Sequence, residues 1–74
     1  MTREKNTDIL TGRIIQRVME AKSKGDTEVD INHGVSKSHN TNRLLRNLSE
    51  YFSDGKFTLK RLPFGYELNI KVKF

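Results

Sequence analysis

The chain has 74 residues, of which 14 are lysine or arginine and 9 are aspartate or glutamate, so its net charge is +5. A chain of this length forms one domain that buries about 60% of its unfolded surface, and a homodimer is one way for such a small domain to gain stability. It contains no cysteine, which excludes disulfides and thiolate zinc sites, and its lack of a signal sequence or a long apolar run predicts a soluble, cytoplasmic protein without membrane contact.

The first predicted element is a helix that follows a flexible tail at residues 1–6. Asn6 or Thr7 is suited to cap this helix, and Asp8 places a negative charge in its first turn. Gly25 is suited to end it. Between cap and stop, apolar residues recur at helical spacing. This stripe consists of Leu10, Ile14, Ile15, Val18, Met19 and Ala21.

A short strand and a polar segment come next. In residues 27–32, Val29 and Ile31 alternate with polar residues, which is typical of a strand that is buried on one face. Residues 33–42 contain a glycine, many small polar residues and one aliphatic residue, Val35. This composition predicts a loop or a single short helix, and leaves both interpretations open.

The second predicted helix covers residues 41–53. Asn40 or Thr41 can cap it, and Asp54–Gly55 ends it. One face is apolar, formed by Leu44, Leu45, Leu48, Tyr51 and Phe52. The opposite face points outward and carries Arg43, Arg46, Asn47 and Glu50.

Residues 56–74 have the alternation of a β-hairpin with one buried face. Pro63 presets the backbone for a turn, Phe64 completes a two-residue loop, and Gly65 accepts the conformation that closes it. With this loop, apolar residues face apolar residues across the two strands, and polar residues face polar residues. The predicted pairs are Phe57–Ile70, Thr58–Asn69, Leu59–Leu68 and Lys60–Glu67.

These elements predict an α+β fold in which two helices pack on one face of a three-stranded antiparallel sheet. The long last strand lies in the centre, which gives the strand order 1-3-2. Residues 7–74 form the single domain. The predicted core consists of Leu10, Ile14, Val18, Val29, Ile31, Leu44, Leu48, Phe52, Phe57, Leu59, Leu68, Ile70 and Val72.

The order helix, strand, polar segment, helix, strand, strand resembles that of winged helix-turn-helix DNA-binding domains. The resemblance is one of element order. It implies that residues 32–39 are the short helix, residues 42–52 the recognition helix and residues 60–66 the wing of a transcription regulator. The residues that would read bases are of types that contact guanine and adenine edges, namely Asn42, Arg43, Arg46 and Asn47. If residues 33–42 form a loop, the chain is instead a plain two-helix, three-stranded domain.

Positive charge is concentrated toward both ends of the chain. Residues 1–25 have a net charge of +3 and residues 56–74 of +4, whereas residues 26–55 have −2. This distribution favours a nucleic-acid partner, with DNA ahead of RNA, and steep weakening of its binding by salt. The expected phosphate contacts are Lys56, Lys60, Arg61, Lys71 and Lys73.

The C-terminal lysines also have a second interpretation. If the first strand lies beside the last, Glu28 and Asp30 face Lys71 and Lys73 across the ladder and neutralise part of the basic charge.

Leu62, Pro63 and Phe64 project beyond the paired residues of the hairpin. Either Phe64 folds back over the sheet edge, or the three residues form an exposed apolar tip beside Lys60 and Arg61. An exposed tip predicts a small inhibitor or adaptor, of the kind that mobile elements encode, which binds a larger protein. An open strand edge is a further place at which a partner strand can add.

The sequence contains no pattern that predicts catalysis, a metal site or a cofactor. His33 and His39 lack further ligands at zinc-site spacing. Ser36, Ser38, His39 and Asp30 contain the residue types of a nucleophilic set, but no glycine-rich turn accompanies them to bind an oxyanion. Phosphate-binding glycine motifs are also missing from the sequence. We therefore expect a binding protein, not an enzyme.

Overall fold

A computed structural model describes residues 2–74 as two helices and one three-stranded antiparallel sheet. The strand order is β1-β3-β2, so the predicted α+β class and strand order are confirmed. In chain order the elements are α1 (Arg3–Ser23), β1 (Glu28–Ser36), α2 (Thr41–Tyr51), β2 (Lys56–Leu62) and β3 (Gly65–Lys73).

Helix α1 begins earlier than predicted. The Thr2 side chain caps it by accepting a hydrogen bond from the Lys5 backbone at 3.1 Å, and Glu4 lies in the first turn. The prediction of a loose tail is therefore wrong for residues 3–6, which are helical, while Met1 lies outside the described residues. Thr7 is not a cap but a fully buried residue inside the helix.

The predicted end of α1 at Gly25 is confirmed. Gly25 has a φ of 89°, in the left-handed region that glycine adopts without a steric penalty. Its backbone N–H donates to the Lys22 carbonyl at 3.0 Å, and the Asp26 N–H donates to the Ala21 carbonyl at 3.2 Å. These two bonds form a Schellman motif, which satisfies carbonyl groups that the last turn leaves free.

Strand β1 is longer than predicted, because it continues to Ser36. Val35 continues the period of two set by Val29 and Ile31 and is only 3% exposed. Both interpretations of residues 33–42 are thus wrong for residues 33–36, which are strand, and the turn is confined to residues 37–40. Within residues 2–74, the short helix that the winged-helix resemblance implied is replaced by this strand and turn.

The hairpin register is confirmed, including all four predicted pairs and the two-residue loop between Leu62 and Gly65. On its other side, β3 pairs with β1 along the full length of both strands. Helix α1 packs against β1 and α2, and α2 also packs against β2. One face of the sheet is therefore covered by helices, and we call the other the open sheet face.

Apolar side chains between the helices and the sheet form one core. The predicted residues Ile31, Phe52, Phe57 and Leu59 pack against this core but are only partly buried, and Val35 belongs to it although it was not predicted. Its fully or nearly fully buried members are Leu10, Ile14, Val18, Val29, Val35, Leu44, Leu48, Leu68, Ile70 and Val72.

Candidate binding surfaces

Residues 62–64, which we call the hairpin tip, project into solvent. The Phe64 side chain is 93% exposed, and Leu62 is 37% exposed. The interpretation in which Phe64 folds back over the sheet edge is therefore wrong. The exposed apolar residues Leu62, Pro63 and Phe64 are contiguous in the chain.

The tip is held in place by Gly65, which is buried against β1. Gly65 has a φ of 157°, and a Cβ atom at this position would lie 2.6 Å from the Val35 carbonyl oxygen. Only glycine permits so close an approach of two backbones. A groove of about 530 Å³ lies between the tip and residues 34–36 of β1.

Two of the predicted base-reading residues on α2 are bound to α1 instead. Arg43 donates two hydrogen bonds to the Asp8 carboxylate, each at 2.9 Å, and Asn47 donates a third at 3.0 Å. These bonds, above all those from Arg43, hold the pKa of Asp8 below its ordinary value of 3.8, and the same contact raises the pKa of Arg43. Arg43 and Asn47 therefore fasten α2 to α1.

Buried threonines extend this contact. The Thr7 hydroxyl accepts a hydrogen bond from the Asn40 backbone N–H at 2.9 Å and donates to the Arg3 carbonyl at 2.7 Å. The Thr11 hydroxyl donates to the Thr7 carbonyl at 2.8 Å and accepts from Asn47 at 3.4 Å. We call this polar contact the α1–α2 seam. Its residues are Thr7, Asp8 and Thr11 of α1 with Arg43 and Asn47 of α2 and Asn40, which caps α2.

The structure splits the other predicted nucleic-acid residues between two faces. Asn42 and Arg46 of α2 are exposed on the helix-covered side, and the register places Arg61 on that side as well, opposite Tyr66. The remaining four residues lie on the open sheet face, namely Lys56, Lys60, Lys71 and Lys73. The predicted set is therefore not one continuous surface.

Carboxylates oppose most lysines of the open sheet face. The ladder places Glu28 opposite Lys73 and Asp30 opposite Lys71, as the second interpretation predicted, and Glu67 opposite Lys60. Among residues 2–74 the ion pair within 4.0 Å is that of Arg43 and Asp8, so these cross-strand charges are neighbours without direct contact. Asp30 instead accepts a hydrogen bond from Asn69 at 2.8 Å. The open sheet face therefore has mixed charge.

Sequence reasoning missed a basic surface at the β1 edge of the sheet. Arg17 of α1 reaches β1, where its guanidinium donates to His33 Nδ1 at 2.9 Å and to the Asn32 carbonyl at 3.3 Å. Burial, and then the charges of Arg17 and Arg13, lower the pKa of His33 from its ordinary value of 6.5. The spacing of Arg13 and Arg17 by one helical turn was the signal available in the sequence.

A surface cleft of about 460 Å³ lies beside this contact, and we call it the α1–β1 cleft. Its α1 side includes Ile9, Leu10 and Arg13, and its β1 side includes His33 and Gly34. Arginine and histidine are the only titratable residue types in its lining, so it contains no carboxylate.

At the end of β1 and in the turn after it, three residues of the nucleophilic set named above lie together, namely Ser36, Ser38 and His39. Ser36 Oγ lies 2.6 Å from Ser38 Oγ and 2.9 Å from His39 Nδ1. Asp30 belongs to the open sheet face, where it accepts a hydrogen bond from Asn69. These groups therefore do not form a serine–histidine–aspartate arrangement.

Comparison of the chain with protein-family models, with curated proteins and with solved structures gave no match. Neither helix of the described residues combines the length and the apolar character needed to cross a membrane.

Proposed function

We propose that this protein is a small protein-binding module that inserts its hairpin tip into an apolar pocket of a larger protein, as an inhibitor or adaptor. The observation that carries the proposal is the 93% exposure of Phe64, next to Leu62, at the end of a well-paired hairpin. Burying a phenylalanine side chain fully contributes about 1.5–3 kcal/mol. As part of the same proposal, the protein acts in the cytoplasm, which is compatible with its lack of cysteine.

Preorganisation of the tip supports this proposal. The loop has two residues, and its closing glycine is packed against the Val35 carbonyl, so the tip has little freedom to lose when it binds. Interfaces gain affinity when the binding element is already held in its bound shape, because ordering costs are reduced.

Charge around the tip indicates the kind of partner. Lys60 and Arg61 precede Leu62 and point to opposite faces of β2, so basic side chains flank the apolar residues on both sides. An apolar centre surrounded by a polar rim is the usual anatomy of a protein–protein interface. The matching surface is an apolar pocket with an acidic rim.

The experiment compares the proteins that three immobilised baits capture from a cell lysate. The baits are the natural chain, the Leu62→Ser/Phe64→Ser double variant and Tyr51→Ser. Tyr51 is a matched control, because it is an exposed aromatic residue on α2, away from the tip. A protein captured by the natural chain and by Tyr51→Ser, but not by the double variant, would then be purified and titrated. We expect the double variant to bind it at least about 30-fold more weakly, as for an interface hot spot.

Two results would contradict the proposal. One is a purified partner that binds the double variant as tightly as the natural chain. The other is self-association of the natural chain that disappears in the double variant, because the tip would then bind a second copy and form the predicted homodimer.

DNA binding is the second candidate, and we propose it for a smaller set of residues. It is favoured by the exposure of Asn42 and Arg46 on α2 and by the position of Arg61 on the same side of the sheet. Fluorescence anisotropy with mixed duplex DNA, at low and near-physiological salt, tests it. Binding that weakens with salt and is reduced in Arg46→Gln supports this candidate, whereas no binding at low salt rejects it.

A further inference from the structure

The free edge of β1 carries backbone groups that no strand within residues 2–74 pairs. The Phe74 N–H donates to the Thr27 carbonyl at 2.9 Å, which fixes the phase of the β1–β3 ladder. Because hydrogen-bonded and non-hydrogen-bonded pairs alternate in an antiparallel ladder, Asn32, Gly34 and every second residue point their N–H and C=O groups away from β3. The Arg17 contact with the Asn32 carbonyl, made from α1, agrees with this phase.

Gly34 is an open position near the C-terminal end of that edge. On one side of it Arg17 already occupies the Asn32 carbonyl, and on the other the His39 N–H occupies the Ser36 carbonyl at 3.2 Å. Gly34 itself is exposed, and a Cβ atom built on it would meet nothing within 4 Å. One donor and one acceptor are therefore presented side by side, which is the pattern that a peptide backbone matches.

The surroundings of Gly34 indicate the charge of such a peptide. The α1–β1 cleft beside it contains Arg13 and two apolar residues, Ile9 and Leu10, and no carboxylate. Arg17 adds a second guanidinium one helical turn from Arg13. Nucleic acid would use the positive charge but not the paired donor and acceptor or the apolar side chains, so a peptide with carboxylates fits more of the surface.

The α1–β1 cleft is continuous with the groove beside the hairpin tip. Gly34 and Ser36 line both the α1–β1 cleft and the groove beside the tip. We propose that an extended, acidic segment of the partner protein adds to the β1 edge at Gly34, with its carboxylates on Arg13 and Arg17. This inference rests on the proposed function, since it names the chemistry of that same partner.

The test uses a probe that does not require the partner. A short peptide of alternating threonine and aspartate is titrated to millimolar concentration against the isotopically labelled protein, and backbone amide shifts are followed by NMR. We expect the Gly34 and Arg13 signals to shift. The lysine counterpart of the peptide, and an aspartate peptide methylated on every backbone nitrogen, should produce no such shift, because they lack the negative charge and the hydrogen-bond donors respectively.

Variants make the result specific. Arg13→Gln should weaken peptide binding about tenfold, as expected for a lost charge-assisted hydrogen bond, whereas Lys24→Gln, at the C-cap of the same helix and outside the cleft, should not. Phe64→Ser should leave peptide binding unchanged, so failure here is distinguishable from failure of the proposed function. No shift at Gly34, equal binding of the methylated peptide, or a larger response to single-stranded DNA than to the acidic peptide would overturn the inference.

Discussion

At the hairpin tip, the apolar Phe64 is 93% exposed, whereas in the α1–α2 seam Arg43 and Asn47, residue types common on surfaces, are hydrogen-bonded to Asp8 of another helix. Where the contact between two helices is partly polar, its buried polar groups would be left without hydrogen bonds unless they found partners in each other. The tip has no such structural task, and its apolar residues are available for a partner. Residue type therefore does not reveal which side chains stabilise the fold and which remain free to bind.

The largest effect on stability is expected at Gly65, which links the tip to the fold. Gly65→Ala places a Cβ atom 2.6 Å from the Val35 carbonyl oxygen and forces a φ of 157° on a residue that avoids it. We expect a loss of about 3 kcal/mol in the free energy of unfolding, measured with urea. Gly12→Ala is the matched control, because a Cβ there meets nothing within 4 Å, and it should gain about 0.5–1 kcal/mol. A cost below about 1 kcal/mol for Gly65→Ala would mean that the tip is not pinned to β1.

The next largest effect is expected in the seam. Thr7→Val keeps the shape of the side chain but removes the oxygen that accepts the Asn40 N–H at 2.9 Å. The donor is left without its partner, so we expect a loss of about 1–2 kcal/mol in the free energy of unfolding. Thr7→Ser retains the hydroxyl, and Asn40 should keep slow amide hydrogen exchange in this variant but not in Thr7→Val. Fast exchange at Asn40 in the natural protein would show that the seam is open in solution.

A smaller, pH-dependent effect is expected from His33. Because its pKa in the folded protein is lowered from 6.5, the unfolded chain binds a proton more readily, and stability rises with pH across the interval between the two values. The stabilising contribution is thus complete above pH 6.5 and is lost as the pH falls through the lower, folded value. Thermal unfolding temperatures measured from neutral to mildly acidic pH should therefore decrease. His33→Gln should flatten this pH dependence, and His39→Gln should preserve it. If instead His39→Gln flattens it and His33→Gln does not, the effect does not arise from His33.

The smallest effect on stability is expected at the tip itself. Phe64→Ser removes a side chain that makes almost no contact within the protein, so the free energy of unfolding should change by no more than about 0.5 kcal/mol. Urea unfolding of this variant, beside Gly65→Ala, measures how far the structural and the binding roles are separated between adjacent residues. A loss above about 1 kcal/mol would show that Phe64 packs on its own chain.

The features that sequence predicted correctly depend on neighbouring residues. The hairpin register follows from strict alternation and a proline–glycine turn, and the end of α1 follows from Gly25. The N-terminal extension of α1 was also within reach, since Thr2 followed by Glu4 is suited to a helix start. The seam was not, because Asp8 and Arg43 are 35 residues apart and their pairing depends on how the helices meet.

The C-terminal half of β1 was missed for a different reason. His33, Gly34 and Ser36 have low strand propensity, and they outweighed the single apolar residue Val35. Pairing with β3 overrides that preference, because each residue there faces a partner in the ladder. The exposed Gly34, and with it the α1–β1 cleft, follows from this tertiary contact and has no local signal.

The most direct test of the hairpin tip as a binding element is site-specific cross-linking. A photoreactive phenylalanine analogue is placed at Phe64 in one protein and at Tyr51 in another, and each is irradiated with the partner that the natural chain captures. Cross-links from position 64 to apolar residues of a pocket in the partner, and none from position 51, are the expected result. Cross-links from position 51 without any from position 64 would contradict the role of the tip.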